Sequence, residues 1–252
     1  MSNREEAQKF FSRHAAAYTL AGHPNVGDLE RMLALVEPTG REVALDVATA
    51  AGNTSLLLAP LVAGVVGLDL TVEMGREFAV QMRSKGVRNA WFTAGDVERL
   101  PFSDSSFDLV VCRRAAHHFT RPDLALAEMA RVLRSGGRLG LADMMAPEGP
   151  AADLFNGMER ARDGSHFRAL GASQWRRVVE DAGLEVMALE TSLEEREFSN
   201  WLFPVPADGS EAAGALALAE AAPPDVASQV VRHGQQVILF LKGRIVLVAV
   251  KR

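Results

Sequence analysis

Cysteine is nearly missing from this chain: Cys112 stands alone among 252 residues. One cysteine excludes an internal disulfide and any cysteine-based metal cluster, and it reads as a buried strand residue. No apolar run approaches the ~20 residues that cross a bilayer. The opening segment, Met1-Ser2-Asn3-Arg4-Glu5-Glu6, lacks the apolar stretch of a secretion signal. Basic residues are not in excess either. The net charge is −5, which argues against nucleic acid as a partner. With 48% apolar and 23% charged residues, the expectation is a soluble cytoplasmic protein of one domain.

From Val43 to Asp143, apolar strands alternate with helices. Strands are expected near 43–47, 64–68, 90–94, 107–112 and 137–142. Helices are expected near 53–62, 72–85 and 121–134, the last ended by Gly136-Gly137. Such alternation implies right-handed crossovers and a parallel sheet covered on both faces. Residues 4–38 read as two helices broken at Gly22-His23-Pro24-Asn25, because Pro24 disfavours helix at the residue before it. After 145 the spacing predicts helices at 150–160, 173–182 and 212–222, the last ended by Pro223-Pro224, and a strand at 184–191. A terminal hairpin is expected, with Gln236–Leu241 and Ile245–Val250 joined by a Lys242-Gly243 turn. Glu194-Glu195-Arg196-Glu197 reads as a solvated face, and Trp175 and Trp201 as helix anchors.

The most informative stretch is 43–69. Val43-Ala44-Leu45 ends in Asp46, a small-residue turn runs to Asn53, and the next strand, Val65-Val66-Gly67-Leu68, ends in Asp69. In a parallel sheet these ends lie side by side and form a crevice for nucleosides. An acid about 20 residues beyond the first turn is placed to hold ribose hydroxyls. Glycine is absent where a dinucleotide turn needs it: the positions fall on Ala48, Ala50 and Asn53, so NAD or FAD is not expected. The pattern acid-x-Gly-x-Gly-x-Gly falls on Asp46, Ala48, Ala50 and Gly52. Should positions 48 or 50 require positive φ, each alanine costs roughly 1–2 kcal/mol.

Further matches follow in order. Gly95-Asp96-Val97 closes the third strand, and Leu100-Pro101-Phe102-Ser103-Asp104-Ser105-Ser106-Phe107-Asp108 leads into the fourth. Cys112-Arg113-Arg114-Ala115-Ala116-His117-His118-Phe119 leaves it, and Glu128 to Leu139 carries Arg-Val-Leu-Arg-Ser-Gly-Gly. Together these resemble the class I S-adenosylmethionine-dependent methyltransferases, in the small-molecule branch that includes ubiquinone and menaquinone biosynthesis enzymes. The resemblance covers about residues 10–190. It implies a Rossmann-like α/β fold: a mostly parallel seven-stranded sheet, helices on both faces, an antiparallel last strand and an N-terminal helical lid. It implies one domain over 1–252, divided into a lid (1–40), a cofactor-binding core (41–143) and a substrate-covering insertion with terminal strands (144–252).

The resemblance further implies S-adenosylmethionine as cofactor and S-adenosylhomocysteine as product. By position, Asp46 and the turn Ala48, Thr49, Ala50 and Gly52 would hold the methionine end. Asp69 would accept from the ribose with Leu70 beside the adenine, while Asp96 and Val97 would meet the base. Arg113 would border the cofactor and Tyr18 would cover it. The expected reaction moves a methyl group to oxygen, nitrogen or carbon of a small molecule, with no metal, nucleic acid or membrane partner, in a monomer or homodimer.

Methyl transfer from a sulfonium needs alignment, exclusion of water and sometimes a base. An imidazole suits that role, since its ordinary pKa lies near neutrality. His117 and His118 follow the fourth strand, and His23 sits in the N-terminal break; these are the catalytic candidates. His166 and Arg168, in Ser165-His166-Phe167-Arg168, are candidates for substrate contact. Each has a structural alternative as cap, packing or surface residue. Arsenic methylation is excluded, because it depends on several cysteines. Two other readings stay open: a cyclisation or rearrangement that uses the bound cofactor without transfer, and a non-catalytic binding module in which the two alanines mark lost binding.

Overall fold

Val43–Val47 (β1) is the strand around which the sheet is built, with Ala44, Leu45 and Val47 buried between two layers of helix. In the computed structural model, residues 8, 12, 27–202, 205–206, 208–233 and 238–252 are described. The elements run α1 (Gly27–Val36), β1, α2 (Asn53–Leu58), β2 (Gly64–Asp69), α3 (Val72–Ser84), β3 (Ala90–Ala94) and β4 (Phe107–Arg113). Next come α4 (Pro122–Val132), β5 (Leu133–Met145), α5 (Ala151–Arg162), α6 (Ala172–Asp181) and β6 (Leu184–Glu197). The chain finishes with α7 (Phe198–Leu202), α8 (Ser210–Ala221), α9 (Pro224–Ala227), β7 (Val231–His233) and β8 (Ile238–Lys251).

The sheet order is β3-β2-β1-β4-β5-β8-β6, with the short β7 paired to β8. Strands β1 to β5 are parallel, and β8 runs antiparallel to both β5 and β6. All carboxyl ends of β1, β2, β4 and β5 therefore face one rim, where ligands of open α/β sheets bind. One face is sealed by Leu126 and Met129 of α4 and by Trp175 and Val179 of α6. The other is sealed by Leu29, Met32 and Val36 of α1 with Leu58 of α2. A separate apolar cluster joins Met144, Phe155, Trp201 and Phe240, with the Trp201 and Phe240 rings stacked at 4.1 Å.

Three sequence expectations need correction. No hairpin turn occurs at Lys242-Gly243; β8 is one continuous strand paired on both sides. Lys242 is buried against Glu159 at 2.8 Å, and a Cβ on Gly243 would lie 2.4 Å from the Met145 carbonyl oxygen. A turn dipeptide is thus used for close strand contact. Helix α4 ends at Val132 rather than at Gly136-Gly137; the register jumps from Phe107↔Leu133 to Leu109↔Arg138, and Gly136 takes φ 77° inside that irregularity. Residues 194–197 are a solvated face only in alternation, with Glu195 and Glu197 exposed. They belong to β6, and Glu194 is partly buried between Arg196 and Arg244. Of the expected N-terminal helices, α1 is described; the lid before residue 27 falls outside the described residues apart from Gln8 and Ser12.

Candidate active site

The turn between β1 and α2 is left-handed three times in alternation. Ala48 has φ 53°, Ala50 φ 48° and Gly52 φ 90°. The conditional expectation of strain therefore applies at both alanines, at roughly 1–2 kcal/mol each. Hydrogen bonds hold the strained turn in place. Thr49 N donates to Leu68 O at 2.9 Å, and Thr49 Oγ1 and Ser55 Oγ donate to Asp46 Oδ2 at 2.6 and 2.7 Å. At Gly52 the glycine is obligatory on a second ground, since a Cβ would sit 2.5 Å from the Phe78 ring.

Asp46 is buried, and burial above all pushes its carboxyl up to about 6. Its role inside the fold is to organise the turn. Asp69 at the end of β2 accepts from Ala50 N at 2.9 Å and from Thr71 N at 2.8 Å, one on each oxygen. Burial raises its pKa as well, against the pull of those amides. Asp96, beyond β3, accepts from Glu98 N at 2.9 Å, and Val97 packs on the main core. Leu70 is partly buried, and its carbonyl accepts from Gln8 Nε2 at 3.3 Å. Tyr18 and His23 lie outside the described residues. Arg113 ends β4 and is buried against Asp28 of α1 at 2.7 Å, where Arg114 Nε also bonds at 2.7 Å.

After β4 the chain makes one short helical turn, Ala116–His118, which brings two imidazoles to the rim. His117 Nδ1 lies 2.6 Å from Asp143 Oδ1 of β5, and Asp143 Oδ2 accepts from His117 N at 3.1 Å. Asp143 is fully buried; burial disfavours its charge, yet His117 and the Met144 amide hold its carboxyl below the usual range. Because an ionised carboxylate only accepts, His117 Nδ1 donates, and in the neutral form of the ring the lone pair belongs to Nε2. The rings of His118 and His166 lie 4.1 and 5.6 Å from His117.

His118 Nδ1 donates to Ser165 O at 2.9 Å, which fixes its tautomer in the same way. His166 is buried with Nε2 at 2.8 Å from Asn156 Oδ1. Asn156 Nδ2 donates to the carbonyls of Ala152 and Ala169, so its oxygen is the acceptor for His166. Burial first, then the neighbouring His117, lowers His118 to about 4 and His166 to about 3. Both are therefore neutral in the fold. Arg168 is exposed at its side chain, and its amide, like that of Phe167, donates to His117 O at 2.9 Å.

The structure thus gathers His117, His118 and His166, from segments 47 or more residues apart in the chain, into one cluster. Asp143 was missed as a site candidate. A signal existed: like Asp46 and Asp69, it is an acid at the end of an apolar strand. Asn156, Ser165 and Asp28, which position these groups, carried no signal of their own.

The chain is similar to known proteins along most of its length. A family profile described as "Methyltransferase domain" matches residues 45–141. The "Uncharacterized methyltransferase YcgJ" of Bacillus subtilis is 37% identical over 182 residues, 72% of this chain and 68% of that protein. A demethylmenaquinone methyltransferase of Roseiflexus is 34% identical over 154 residues, 58% of this chain and 63% of its own. The crystal structure of YcgJ superposes with a TM-score of 0.84 at 31% identity, covering 90% of this chain and 99% of that one. The chain belongs to the class I S-adenosylmethionine-dependent methyltransferases. The Rossmann-like fold with its antiparallel strand beside β5 agrees with that membership.

Proposed function

We propose that the protein transfers a methyl group from S-adenosylmethionine to an oxygen, nitrogen or carbon nucleophile of a small organic molecule, with His117 as the base. The observation that carries the reading is the His117–Asp143 pair at 2.6 Å on the carboxyl rim of β4 and β5. Asp143 holds the ring in one tautomer, so that Nε2 is the atom that takes the proton of the acceptor. His118, its ring tilted at 4.1 Å, and His166, stacked at 5.6 Å, are neutral neighbours that leave the proton to His117.

The donor set suits S-adenosylmethionine. Asp69 accepts from two amides, one on each oxygen, and from the Thr71 side chain, and a carboxylate with about four lone-pair sites still has room for a ribose hydroxyl. The turn at 48–52 supports backbone contact with the methionine end, with Leu70, Asp96 and Val97 toward the adenine and Arg113 at the border. When bound, this cofactor supplies a methyl group on a positively charged sulfur, so the protein has to align and dehydrate the pair rather than activate the donor. The division into lid (1–40), core (41–143) and insertion (144–252), and a cytoplasmic setting, belong to the same reading. The net charge of −5 supports a partner other than nucleic acid.

The test is calorimetric titration with S-adenosylmethionine, followed by a screen of phenols, amines and activated carbon acids for release of S-adenosylhomocysteine. No heat at millimolar cofactor sinks the reading. Turnover of an acceptor without S-adenosylhomocysteine transfers it to the cyclisation alternative.

A further inference from the structure

At the same rim, among the described residues, the opposite face of the sheet carries four guanidiniums gathered around two carboxylates. Arg113 and Arg114, at the end of β4, share Asp28 of α1. Arg244 of β8 and Arg196 of β6 share Glu194, with Arg196 Nη2 on Oε1 at 2.6 Å and Arg244 on Oε2 at 3.1 Å. The register puts this group at the same end of β5 as Asp143, the partner of His117. Arg244 lies opposite Met144 and Ile245 opposite Asp143, while Arg114 N donates to Ala142 O at 2.8 Å. Side chains alternate along β5, so Asp143 and the arginines approach the rim from opposite faces.

Glu194 is one charge against two, and it cannot neutralise both partners. The like charges press on one another: burial first, then Arg114, pushes Arg244 down, and burial with Arg113 and Arg196 does the same to Arg114. Side chains of Arg244 and Arg196 remain 13% and 32% exposed, so a ligand can reach them. Arg244 and Arg196, two cations on one partly buried carboxylate, leave room for a further anion. Guanidiniums take a planar oxyanion best, through paired N–H bonds.

Resting on the methyltransferase reading, we propose that the methyl acceptor carries a carboxylate-type acidic group, held by Arg244 and Arg196 while its nucleophile faces His117. The acid anchors one end of the acceptor on the α1 side of the rim and thereby sets which atom meets the base. Neutral molecules of the same shape are then poor acceptors.

The experiment uses the full chain saturated with S-adenosylhomocysteine and titrates it with acetate and benzoate, each against its own amide. The expected result is saturable binding of at least one acid, with its amide about tenfold weaker or more. Arg244→Gln and Arg196→Gln each weaken the acid about tenfold. Glu194→Gln tightens it, because two guanidiniums lose their competing carboxylate. That last sign separates a binding role from a structural one, since mere damage to the fold would weaken binding in all three variants. Equal binding of acid and amide, no binding of either acid, or weaker binding in Glu194→Gln overturns the proposal. If S-adenosylhomocysteine itself fails to bind, the cofactor reading fails, and the same titrations on the unliganded protein still decide the anion site.

Discussion

The amide of Ala50 donates to Asp69 Oδ2 across 2.9 Å. The left-handed turn after β1 and the acid that ends β2 are therefore one unit, and damage to either is felt by the other. The same carboxylate holds Thr71 N at the start of α3, so Asp69 ties three consecutive segments together. Asp69→Ala is expected to weaken S-adenosylmethionine binding by about 1.5–3 kcal/mol, the range for hydrogen bonds to a charged group. Calorimetry reads this directly, and unchanged affinity would remove the ribose from this position.

Ala48→Gly and Ala50→Gly test the strain in the turn. Relief of a left-handed alanine is worth roughly 1–2 kcal/mol, while the added freedom of the unfolded chain takes back roughly 0.5–1. Each variant is expected to be as stable as the parent, or more stable by up to about 1 kcal/mol. A urea midpoint that falls in both variants would show that the alanine methyls are packing groups and the turn is unstrained.

His117→Gln and Asp143→Asn address the base. Loss of a positioned base lowers turnover about 10²–10⁴-fold. Both variants should keep the affinity for S-adenosylmethionine, because neither touches the 46–52 turn or Asp69. Asp143→Asn should fall with His117→Gln, since an amide no longer fixes the tautomer that exposes Nε2. Full activity in either variant, measured as S-adenosylhomocysteine release, would assign the base elsewhere.

Stability should decline as the solution is acidified from pH 6.5 toward 4. His118 and His166 titrate near 4 and 3 in the fold and at their ordinary 6.5 in the unfolded chain, so the unfolded state binds more protons across that window. Each contributes a slope of about 1.4 kcal/mol per pH unit. Asp46 works the other way between about 6 and 3.8, because its raised carboxyl takes up a proton in the fold first. Asp46 therefore offsets part of the histidine slope below pH 6, and the net decline there is shallower than the two histidines alone would give. His166→Gln should flatten the decline in urea midpoints against pH; an unchanged slope would place the proton uptake on other groups.

Glu159 is buried between Lys242 at 2.8 Å, Arg162 at 2.8 Å and Trp201 Nε1 at 3.1 Å. Glu159→Ala would leave Lys242 buried without its carboxylate, at a cost of about 3–5 kcal/mol. Lys242 already titrates near 8 from burial, so it is expected to neutralise in the variant, which makes the loss smaller at high pH. A denaturation midpoint unmoved at pH 7 would mean water reaches this cluster.

Local chemistry made much of this molecule legible in the primary structure. The limits of β1 and β3 were read to the residue: β1 is a buried parallel strand that reads as an apolar run, and β3, the half-exposed edge strand, is rich in aromatic and β-branched residues. Trp175 and Trp201 were read correctly as anchors and Cys112 as buried. The failures share a cause. Lys242-Gly243 has turn composition, but β8 lies between two strands, where Lys242 meets a buried acid and Gly243 admits a neighbouring backbone. Glu194 has surface composition, yet Arg244 from a distant strand closes over it together with Arg196 of its own strand. Composition reports a residue's preference and is silent about a partner 50 positions away.

The sequence by itself determined the alternation of strand and helix, the acids that end β1 and β2, and membership in the methyltransferase family, because each depends on residues within a few turns of one another. Tertiary structure alone decided that His117 is held by Asp143, that His166 joins it, and that four arginines share two carboxylates. Those relationships arise where strand ends and an insertion meet at one rim, and contacts of that kind are set by packing in three dimensions rather than by spacing along the chain.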